Sequence, residues 1–377
     1  MIQQYNIHNF KIHGDTTLNL GALTILTGMN GMGKSSFIQT MLVLRNSFLT
    51  HRLPNALNLK GDAFLLSGSA NLVNSNVSAG TDELRISLHS SNGDNYIFEF
   101  QYPISNQTRL VCLPHAIQYT EEDMQRLSLF NKHFQYLSAF REGPKPKYDS
   151  DTTVVDDENQ LSGSMGRGEF AVYFLSKYGN KDIHLKGLAY QEKTTDFSLR
   201  AQVEAWLTEI SPNIKMNIEQ NGSSYILKYG YPQEGKTIRW YEATDNGYGI
   251  SYVLSILVAI LSAEAGALIL IENPEAHIHP SAQAALMRLI AKAAGCGIQI
   301  ILETHSDHII NGALVGVKKG YMSRNDLSIY YFQRSEETMN AEAIALKIGD
   351  SGRIVNAPTG FFDQMRIDFE TLYDIDE

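Results

Sequence analysis

The first fifty residues alternate between short apolar runs and polar turns. This alternation predicts strands at Tyr5–Phe10 and Thr17–Leu20, and a β-branched run at Ala22–Thr27 predicts a third strand that ends in glycine. Apolar residues then recur at helical spacing over Met32–Phe48. The pattern therefore predicts a strand, a glycine-rich turn and a helix in immediate succession.

Two antiparallel sets of strands are predicted further along the chain. Segments Glu83–His89 and Asn95–Tyr102 alternate around an Asn-Gly turn, which is a strong hairpin signal. The second set is predicted at Ile214–Glu219, Tyr225–Tyr229 and Thr237–Tyr241. Between the two sets, residues 141–168 are rich in Gly, Pro, Asp and Ser and predict a long loop.

The longest apolar run is Tyr252–Ile271, close to the roughly 20 residues that a membrane-spanning helix needs. Glu264 and Gly266 interrupt the run, and a charge near the centre of a bilayer costs about 2.5–3.5 kcal/mol. The run therefore predicts a buried helix, a turn and a buried strand at Ala267–Ile271. Ile298–Leu302 and Leu327–Phe332 predict two more strands.

Composition narrows the class of protein. A chain of 377 residues with 43% hydrophobic positions is too long for one hydrophobic core and is not disordered. Its two cysteines, Cys112 and Cys296, are far apart and outside any CxxC motif, which argues against a disulfide framework or a structural zinc site. The N-terminus lacks an export signal, so we expect a cytoplasmic protein without a membrane partner.

The net charge of −10 argues against a chain that coats nucleic acid. Residues 341–377 hold eight acidic and three basic residues, so their net charge is −5, half of the total of −10. The first 340 residues are therefore only mildly acidic, and nucleic acid stays possible as a partner at a local basic groove.

The sharpest motif is GMNGMGKS at Gly28–Ser35, which matches G-x-x-x-x-G-K-[ST] between a predicted strand and a predicted helix. In such a P-loop, backbone N–H groups hold phosphates, Lys34 contacts the β- and γ-phosphates, and Ser35 binds Mg²⁺. ATP and Mg²⁺ are thus the expected cofactors. The predicted binding residues in this loop are Asn30, Gly31, Gly33, Lys34, Ser35 and Ser36.

Polar side chains follow the next two predicted buried strands. Glu272 follows Ala267–Ile271 in the position of a Walker B carboxylate, and is predicted with Ser35 to bind Mg²⁺. His305 follows Ile298–Leu302 and is expected at the same edge of the sheet.

These motifs carry a resemblance to a known family. The P-loop, Pro274–Pro280 (PEAHIHP) and Thr304–Asp307 (THSD) resemble, in this order, the ABC-class ATPase heads of the overcoming-lysogenization-defect and SMC-like families. More closely, the chain resembles a bacterial AAA-type ATPase family with a short C-terminal domain of unknown function, through Asn9–Lys11, Asn246–Ser251 and Gly360–Asp363. Many members of that family are similar to ATPase subunits of antiphage defence or DNA-maintenance systems.

The resemblance implies a site shared between two heads. Gly247, Gly249 and Ser251 would form the ABC signature, which contacts the γ-phosphate of ATP held by the opposite subunit. His305 would contact the γ-phosphate, and Pro280–Ala282 would lie near the dimer-facing D-loop. ATP would then be sandwiched in a homodimer or higher oligomer. His277 and His279 lie near three acids, which is compatible with a metal site, but the resemblance makes them interface residues.

One departure concerns the usual Asp-Glu pair of Walker B, which stands here as Glu272-Asn273. Asparagine cannot accept a proton at neutral pH, and a general base contributes typically 10²–10⁴-fold to the rate, so hydrolysis is expected to be slow. Glu275, Glu272 itself or a water positioned by Asn273 are the alternatives for this role. The predicted catalytic set is Glu272, Asn273, Glu275 and His305.

The expected fold is an α/β, P-loop ABC-type ATPase head with a mainly parallel core sheet flanked by helices and an antiparallel β subdomain. Residues 1–50 and 242–340 are predicted to form a split core, 51–241 an inserted β and helical lobe, and 341–377 an acidic C-terminal segment. About 210 residues without a sustained heptad separate the P-loop from the signature, which argues against an SMC-type coiled coil.

The favoured hypothesis is an ATP-hydrolysing dimeric switch for a separately encoded effector, such as a nuclease or toxin. Only about 70 residues follow the His305 strand, too few for a fused nuclease. The alternative is a hydrolysis-poor, ATP-dependent scaffold that assembles or restrains an effector, and a P-loop kinase is a more distant third. In the long loop, Arg141 is predicted to contact phosphate, to couple the nucleotide state to the helical lobe, or to form a surface ion pair. Lys145 and Lys147 are candidates for nucleic-acid contact, but a solvated surface is the favoured interpretation.

Overall fold

The computed structural model of the protein describes residues 1–61, 64–65, 72, 74, 83–102, 108–349, 352–358, 360–362, 368 and 371–372. A largely parallel sheet lies at the centre of this part of the chain. Its strands are, in spatial order, β10 (Phe134–Leu137), β14 (Leu268–Glu272), β15 (Gln299–Glu303), β3 (Leu23–Gly28), β16 (Leu327–Arg334) and β17 (Ala341–Ala345). The first five strands in this order, β10, β14, β15, β3 and β16, are mutually parallel, and β17 runs antiparallel to β16.

Both faces of this sheet are covered, which is why β3, β14 and β15 are almost wholly buried apolar runs. Ile269 and Ile271 face one core, and Leu268 and Leu270 face the other, as the two-residue period of a strand requires. The first core contains five helices: α3 (Ala171–Tyr178), α4 (Leu199–Leu207), α5 (Tyr248–Leu261), α6 (Pro280–Gly295) and α7 (Asp307–Lys318).

The second core lies between the parallel sheet, helix α1 (Lys34–Leu49) and an antiparallel sheet. The strands of the antiparallel sheet are, in spatial order, β2 (His13–Asn19), β1 (Ile2–Phe10), β7 (Glu83–Ser90), β8 (Asn95–Gln101), β9 (Arg109–Cys112) and β4 (Ala56–Asn58). Smaller elements include β5 (Lys60–Gly61) with β6 (Phe64–Leu65), a three-stranded sheet of β11 (Lys215–Asn221), β12 (Ser224–Gly230) and β13 (Trp240–Glu242), and the short helix α2 (Glu121–Gln125).

The predicted fold class is confirmed, and most predicted elements are present. The hairpin at β7 and β8 and the helix after the glycine-rich turn form as expected. The apolar run at 252–271 divides into helix, turn and strand, and none of the helices in the described ranges is long and apolar enough to cross a membrane. Several boundaries differ. Strand β2 begins at His13 rather than Thr17, and α5 begins at Tyr248 rather than Ser251. Strand β13 begins at Trp240 because β12 pairs only with Trp240–Glu242.

The sheets cross the predicted domain boundaries. Strand β10, from the predicted inserted lobe, lies in the parallel sheet, and β1 pairs with β7 of the insertion. Strand β17, from the predicted C-terminal segment, extends the parallel sheet, and the ring of Phe361 lies 5.8 Å from that of Tyr331. The domain division therefore stays a prediction. Asp363 of the GFFD motif and most acidic residues of this segment lie outside the described residues.

Candidate functional site

The glycine-rich turn between β3 and α1 forms an open loop. Gly28, Gly31 and Gly33 have φ angles of 129°, 77° and 105°, a region that glycine adopts without steric cost. No other atom lies within 4 Å of where a Cβ of Gly31 would be, so the backbone is accessible there. The loop borders a cavity of about 120 Å³ lined by Asn30, Gly31, Gly33, Lys34, Ser35, Ser36 and Glu303. All six predicted P-loop residues thus share one pocket.

The Lys34 side chain is folded onto its own loop. Its Nζ donates hydrogen bonds to the carbonyl oxygens of Gly28, at 2.9 Å, and Met29, at 2.8 Å. The side chain is only 3% exposed, and burial lowers the pKa of its ammonium group. A phosphate that entered the loop would offer this ammonium a stronger, charged acceptor.

His13, a buried residue of β2, contacts the glycine-rich loop through the backbone of Gly33. Its Nε2 lies 3.0 Å from the carbonyl oxygen of Gly33, and its Nδ1 lies 2.9 Å from the hydroxyl oxygen of Thr16. Because a carbonyl oxygen only accepts, Nε2 carries the proton and Nδ1 accepts from Thr16. Burial lowers the pKa of His13 to about 4, so the ring is neutral near pH 7.

This buried histidine predicts acid-sensitive stability. The pKa of His13 is lower in the folded state than its ordinary value near 6.5, so the unfolded chain binds the extra proton and stability falls as pH decreases from about 6.5 to 4. The full effect is about 3 kcal/mol. We expect His13→Gln to reduce the acid-induced drop in the urea unfolding midpoint between pH 7.5 and 4.5. The exposed His133→Gln should keep the wild-type drop, and parallel profiles for all three proteins would contradict the prediction.

Glu303, at the end of β15, contacts the P-loop directly. Its Oε1 accepts a hydrogen bond from Ser35 Oγ at 3.0 Å and lies 3.9 Å from Lys34 Nζ. Glu303 is 5% exposed, and its Oε2 is buried without a hydrogen-bond partner. Burial, followed by the nearby carboxylate of Glu272, raises the pKa of Glu303 to about 7. A buried carboxylate with an unused oxygen therefore lines the pocket.

Glu272 lies one strand farther from the P-loop than Glu303, because β15 separates β14 from β3. Its Oε1 accepts from the hydroxyl of Tyr136 at 3.1 Å, and its Oε2 accepts from the backbone N–H of Ala139 at 3.2 Å. Burial raises the pKa of Glu272. Both oxygens thus have partners on the β10 side, and the predicted roles of Glu272 in metal binding and catalysis stay predictions.

Asn273 has a conformational role that the sequence comparison with Walker B did not reveal. Its φ angle is 45°, in the left-handed region where asparagine is enriched several-fold over most other residues. Its N–H donates to the carbonyl oxygen of Glu303 at 2.8 Å. The residue that stands at the usual catalytic position is therefore suited to turn the chain sharply after β14.

Arg141 holds this turn in place. It is 2% exposed, and its guanidinium donates to the carbonyl oxygens of Ser138 at 2.9 Å, Glu272 at 2.5 Å and Asn273 at 2.7 Å. Burial lowers the pKa of Arg141 to about 10, so it remains charged at neutral pH. The interpretation of Arg141 as an exposed ion-pairing residue is wrong. Of its predicted nucleic-acid-binding neighbours, Lys145 is paired with Glu142 at 2.9 Å.

Glu275 and His305 meet at the same edge of the sheet. The backbone N–H of His305 donates to Glu275 Oε1 at 2.8 Å, and Glu275 Oε2 is buried without a partner. The imidazole of His305 is exposed, and partial burial and the nearby Lys34 ammonium lower its pKa. The two predicted catalytic residues are thus joined by a hydrogen bond through the backbone of His305.

The predicted signature lies in the first turn of α5. Gly247 is the N-cap, and no atom lies within 4 Å of where its Cβ would be, so this residue is open to a partner. A Cβ on Gly249 would lie 2.4 Å from the carbonyl oxygen of His277, so this glycine permits close packing of α5 on the PEAHIHP segment. Ser251 is 6% exposed and points inward. Of the three predicted contacts, Gly247 is the best placed for a second molecule.

His277 and His279 have other partners in the structure. The ring of His277 lies 4.6 Å from that of Tyr252, and Nδ1 of His279 accepts from the N–H of Ser281 at the start of α6. Within the described ranges, three or more His, Cys, Asp or Glu side chains nowhere form a cluster that could hold a metal ion alone. Both histidines are exposed, and the ring of His277 lies 6.3 Å from that of Tyr248.

Two known families match the sequence of this chain. Residues 23–311, which include the P-loop, Glu272 and His305, match the family described as "AAA domain, putative AbiEii toxin, Type IV TA system". The chain belongs to this family. Residues 322–372 match a second family, described as a protein of unknown function (DUF3696). No curated protein matches the sequence of this AAA-domain chain.

The AAA-domain chain also resembles solved SMC heads. An SmcHead bound to the C-winged helix domain of ScpA is 13% identical with a TM-score of 0.59, over 93% of this chain and 98% of the other. An Smc head domain with an extended coiled coil, bound to the C-terminal domain of ScpA and derived from Pyrococcus furiosus, is 12% identical with a TM-score of 0.56, over 99% of both chains. At these identities the likeness establishes an SMC-head-like α/β fold.

Sequence reasoning about this AAA-domain chain missed two residues at the P-loop, His13 and Glu303. Glu303 carried the same signal as Glu272, an acid directly after a buried strand, and this signal could have identified it. His13 precedes the P-loop by fifteen residues in the chain and reaches it only through the fold, so no local pattern pointed to it.

Proposed function

We propose that this protein is an ATP-binding and ATP-hydrolysing switch in which two heads enclose ATP. The observation that carries the proposal is the P-loop pocket, where Lys34, Ser35 and the buried Glu303 converge on an accessible glycine backbone. Membership of an AAA ATPase family supports ATP binding and ATPase activity in general.

The proposal that two heads enclose ATP rests on the exposed surface around Gly247, at the start of α5. Gly247 is open to solvent at the N-terminus of α5, a helix of 14 residues, and the partial positive charge of such a terminus favours phosphate. Tyr248, 63% exposed, and the exposed His277 lie beside it. This surface has the chemistry to close over the γ-phosphate of ATP that a second head holds. The N–H groups of the α5 first turn would then complete the site.

The donor set of the pocket fits Mg²⁺. Mg²⁺ prefers oxygen ligands and is usually held by one or two carboxylates together with phosphates and water. Glu303 Oε1 accepts a hydrogen bond from the Ser35 hydroxyl, and Glu303 Oε2 has no hydrogen-bond partner. Ser35 and a carboxylate at the carboxyl edge of the central strands would hold the ion. Bound there, Mg²⁺ supplies charge neutralisation at the β- and γ-phosphates.

Hydrolysis needs a group that orients or deprotonates water. Glu275 is the side chain that best suits this role, because its Oε2 is unpartnered and its Oε1 is fixed by the N–H of His305. His305 would contact the γ-phosphate through its exposed imidazole. The left-handed backbone of Asn273 favours the alternative function, a hydrolysis-poor scaffold, because it suits that position for a turn rather than for proton transfer.

The output is proposed to be a separately encoded effector, a nuclease or toxin, in antiphage defence or DNA maintenance in the cytoplasm. This part of the proposal rests on the sequence resemblance, and the family description names a putative toxin of a toxin–antitoxin system. Nucleic acid remains a candidate ligand of the assembled head pair.

ATP-dependent association tests the proposal. By light scattering, we expect a non-hydrolysable ATP analogue with Mg²⁺ to double the mass from one chain of 42.1 kDa, whereas ADP should not. Phosphate release at saturating ATP then separates the two functions, since the switch turns over and the scaffold associates without turnover. Glu275→Gln should associate normally and release phosphate about 10²–10⁴-fold more slowly. A mass that is the same with the analogue and with ADP would contradict the proposal.

A further inference from the structure

Glu303 is placed by the sheet rather than by the P-loop sequence. It ends β15, which lies between the P-loop strand β3 and the Walker B strand β14, and pairs in register with Leu26 on one side and Glu272 on the other. Its carboxylate therefore emerges at the carboxyl edge of the central strands, where ligands of parallel sheets bind.

The surroundings of this carboxylate are incomplete. Ser35 Oγ donates to Oε1 at 3.0 Å, but Lys34 Nζ is 3.9 Å away and donates instead to the Gly28 and Met29 carbonyls. Oε2 has no partner although the residue is only 5% exposed. Burying a charged group without compensation is costly, so this arrangement is suited to a cation that supplies the missing interaction.

The spacing of the Ser35 and Glu303 oxygens is compatible with octahedral Mg²⁺ as well as with the hydrogen bond that joins them. Octahedral Mg²⁺ binds oxygen at 2.0–2.1 Å, so neighbouring ligands on the octahedron are about 3.0 Å apart. Ser35 Oγ and Glu303 Oε1 are 3.0 Å apart. Glu272, in contrast, has both oxygens engaged by Tyr136 and Ala139 on the far side of β14.

We infer that Glu303 is a direct carboxylate ligand of the divalent cation that accompanies ATP, next to Ser35. The inference rests on the proposed ATP-binding function and goes beyond it, because it assigns to β15 a ligand that the P-loop and Walker B motifs do not contain. Glu272 then supports the site from β14, held in place by Tyr136 and Ala139.

The test uses Mn²⁺ as the probe, with the full-length chain in excess over a non-hydrolysable ATP analogue. Electron paramagnetic resonance of free Mn²⁺ gives the dissociation constant for the cation. Binding of a fluorescent ATP analogue in EDTA separately reports nucleotide affinity and the integrity of the site. The variants are Glu303→Gln, Glu272→Gln and Glu275→Gln, which remove the same charge at three neighbouring positions with almost no change in volume.

We expect Glu303→Gln to weaken Mn²⁺ binding by about 10- to 100-fold while nucleotide affinity in EDTA is unchanged or tighter. Glu275→Gln and Glu272→Gln should lose less. The inference is overturned if Glu303→Gln binds Mn²⁺ like wild type and loses only turnover, if Glu272→Gln shows the larger loss, or if all three variants lose equally. Failure of the wild type to bind nucleotide in EDTA would instead overturn the proposed function itself.

Discussion

Lys34→Ala is expected to reduce ATP hydrolysis by about 10²–10³-fold, as removal of a donor that stabilises transition-state charge typically does. Lys34 Nζ already lies in the loop, on the Gly28 and Met29 carbonyls, and only a short movement separates it from the pocket. Its ammonium would bond to the β- and γ-phosphates through charge-assisted hydrogen bonds, which neutral donors do not replace.

The measurement is phosphate release at saturating ATP, together with the affinity for a fluorescent ATP analogue. Lys318→Ala is the matched control, because it removes the same charge from an exposed position at the end of α7. Since Lys34 also lies near the buried Glu303, the unfolding midpoint of Lys34→Ala should be recorded to separate lost binding from lost folding. Wild-type turnover in a folded Lys34→Ala protein would contradict the role of the loop.

The residues of a local motif lie together in the structure because they are only a few positions apart in the chain. Six P-loop residues within seven positions share one pocket, since a strand, a tight turn and a helix leave little freedom for their relative placement. The same holds for the hairpin of β7 and β8, whose register follows from its turn.

The pairing of strands that are far apart in the chain could not be predicted from local sequence patterns. The pairing of β1 with β7 and of β10 with β14 joins residues far apart in the chain, and strand pairing across such distances depends on the packed cores. The predicted division at residues 50 and 241 followed the motifs, whereas the sheets follow the cores.

The burial of Arg141 could not be predicted from the composition of its loop. It lies in a loop rich in polar residues, which predicted exposure, yet its guanidinium is buried because three backbone carbonyls around the turn after β14 need a donor. Gly249 is similar. The resemblance assigns it to a phosphate-facing signature, and the structure adds a packing requirement against His277 that a single sequence does not express.

A second large effect is expected at Gly247. Its φ and ψ angles of −63° and 139° are allowed for any residue, and the space around it is open, so Gly247→Glu should fold normally. A carboxylate there would repel the γ-phosphate of ATP in a second head. We therefore expect Gly247→Glu to bind nucleotide like wild type in its own P-loop and to lose about 10²-fold or more in hydrolysis.

The most direct test of the enclosed-ATP account is to mix the two inactive variants. Lys34→Ala lacks the P-loop cation and Gly247→Glu lacks the opposing surface, so a mixed dimer holds one site with both defects and one intact site. Equal amounts of the two should recover about one quarter of the wild-type rate of phosphate release, because half of the dimers are mixed and half of their sites are intact. A mixture no more active than its separate components, with both variants folded and binding as expected, would contradict the account.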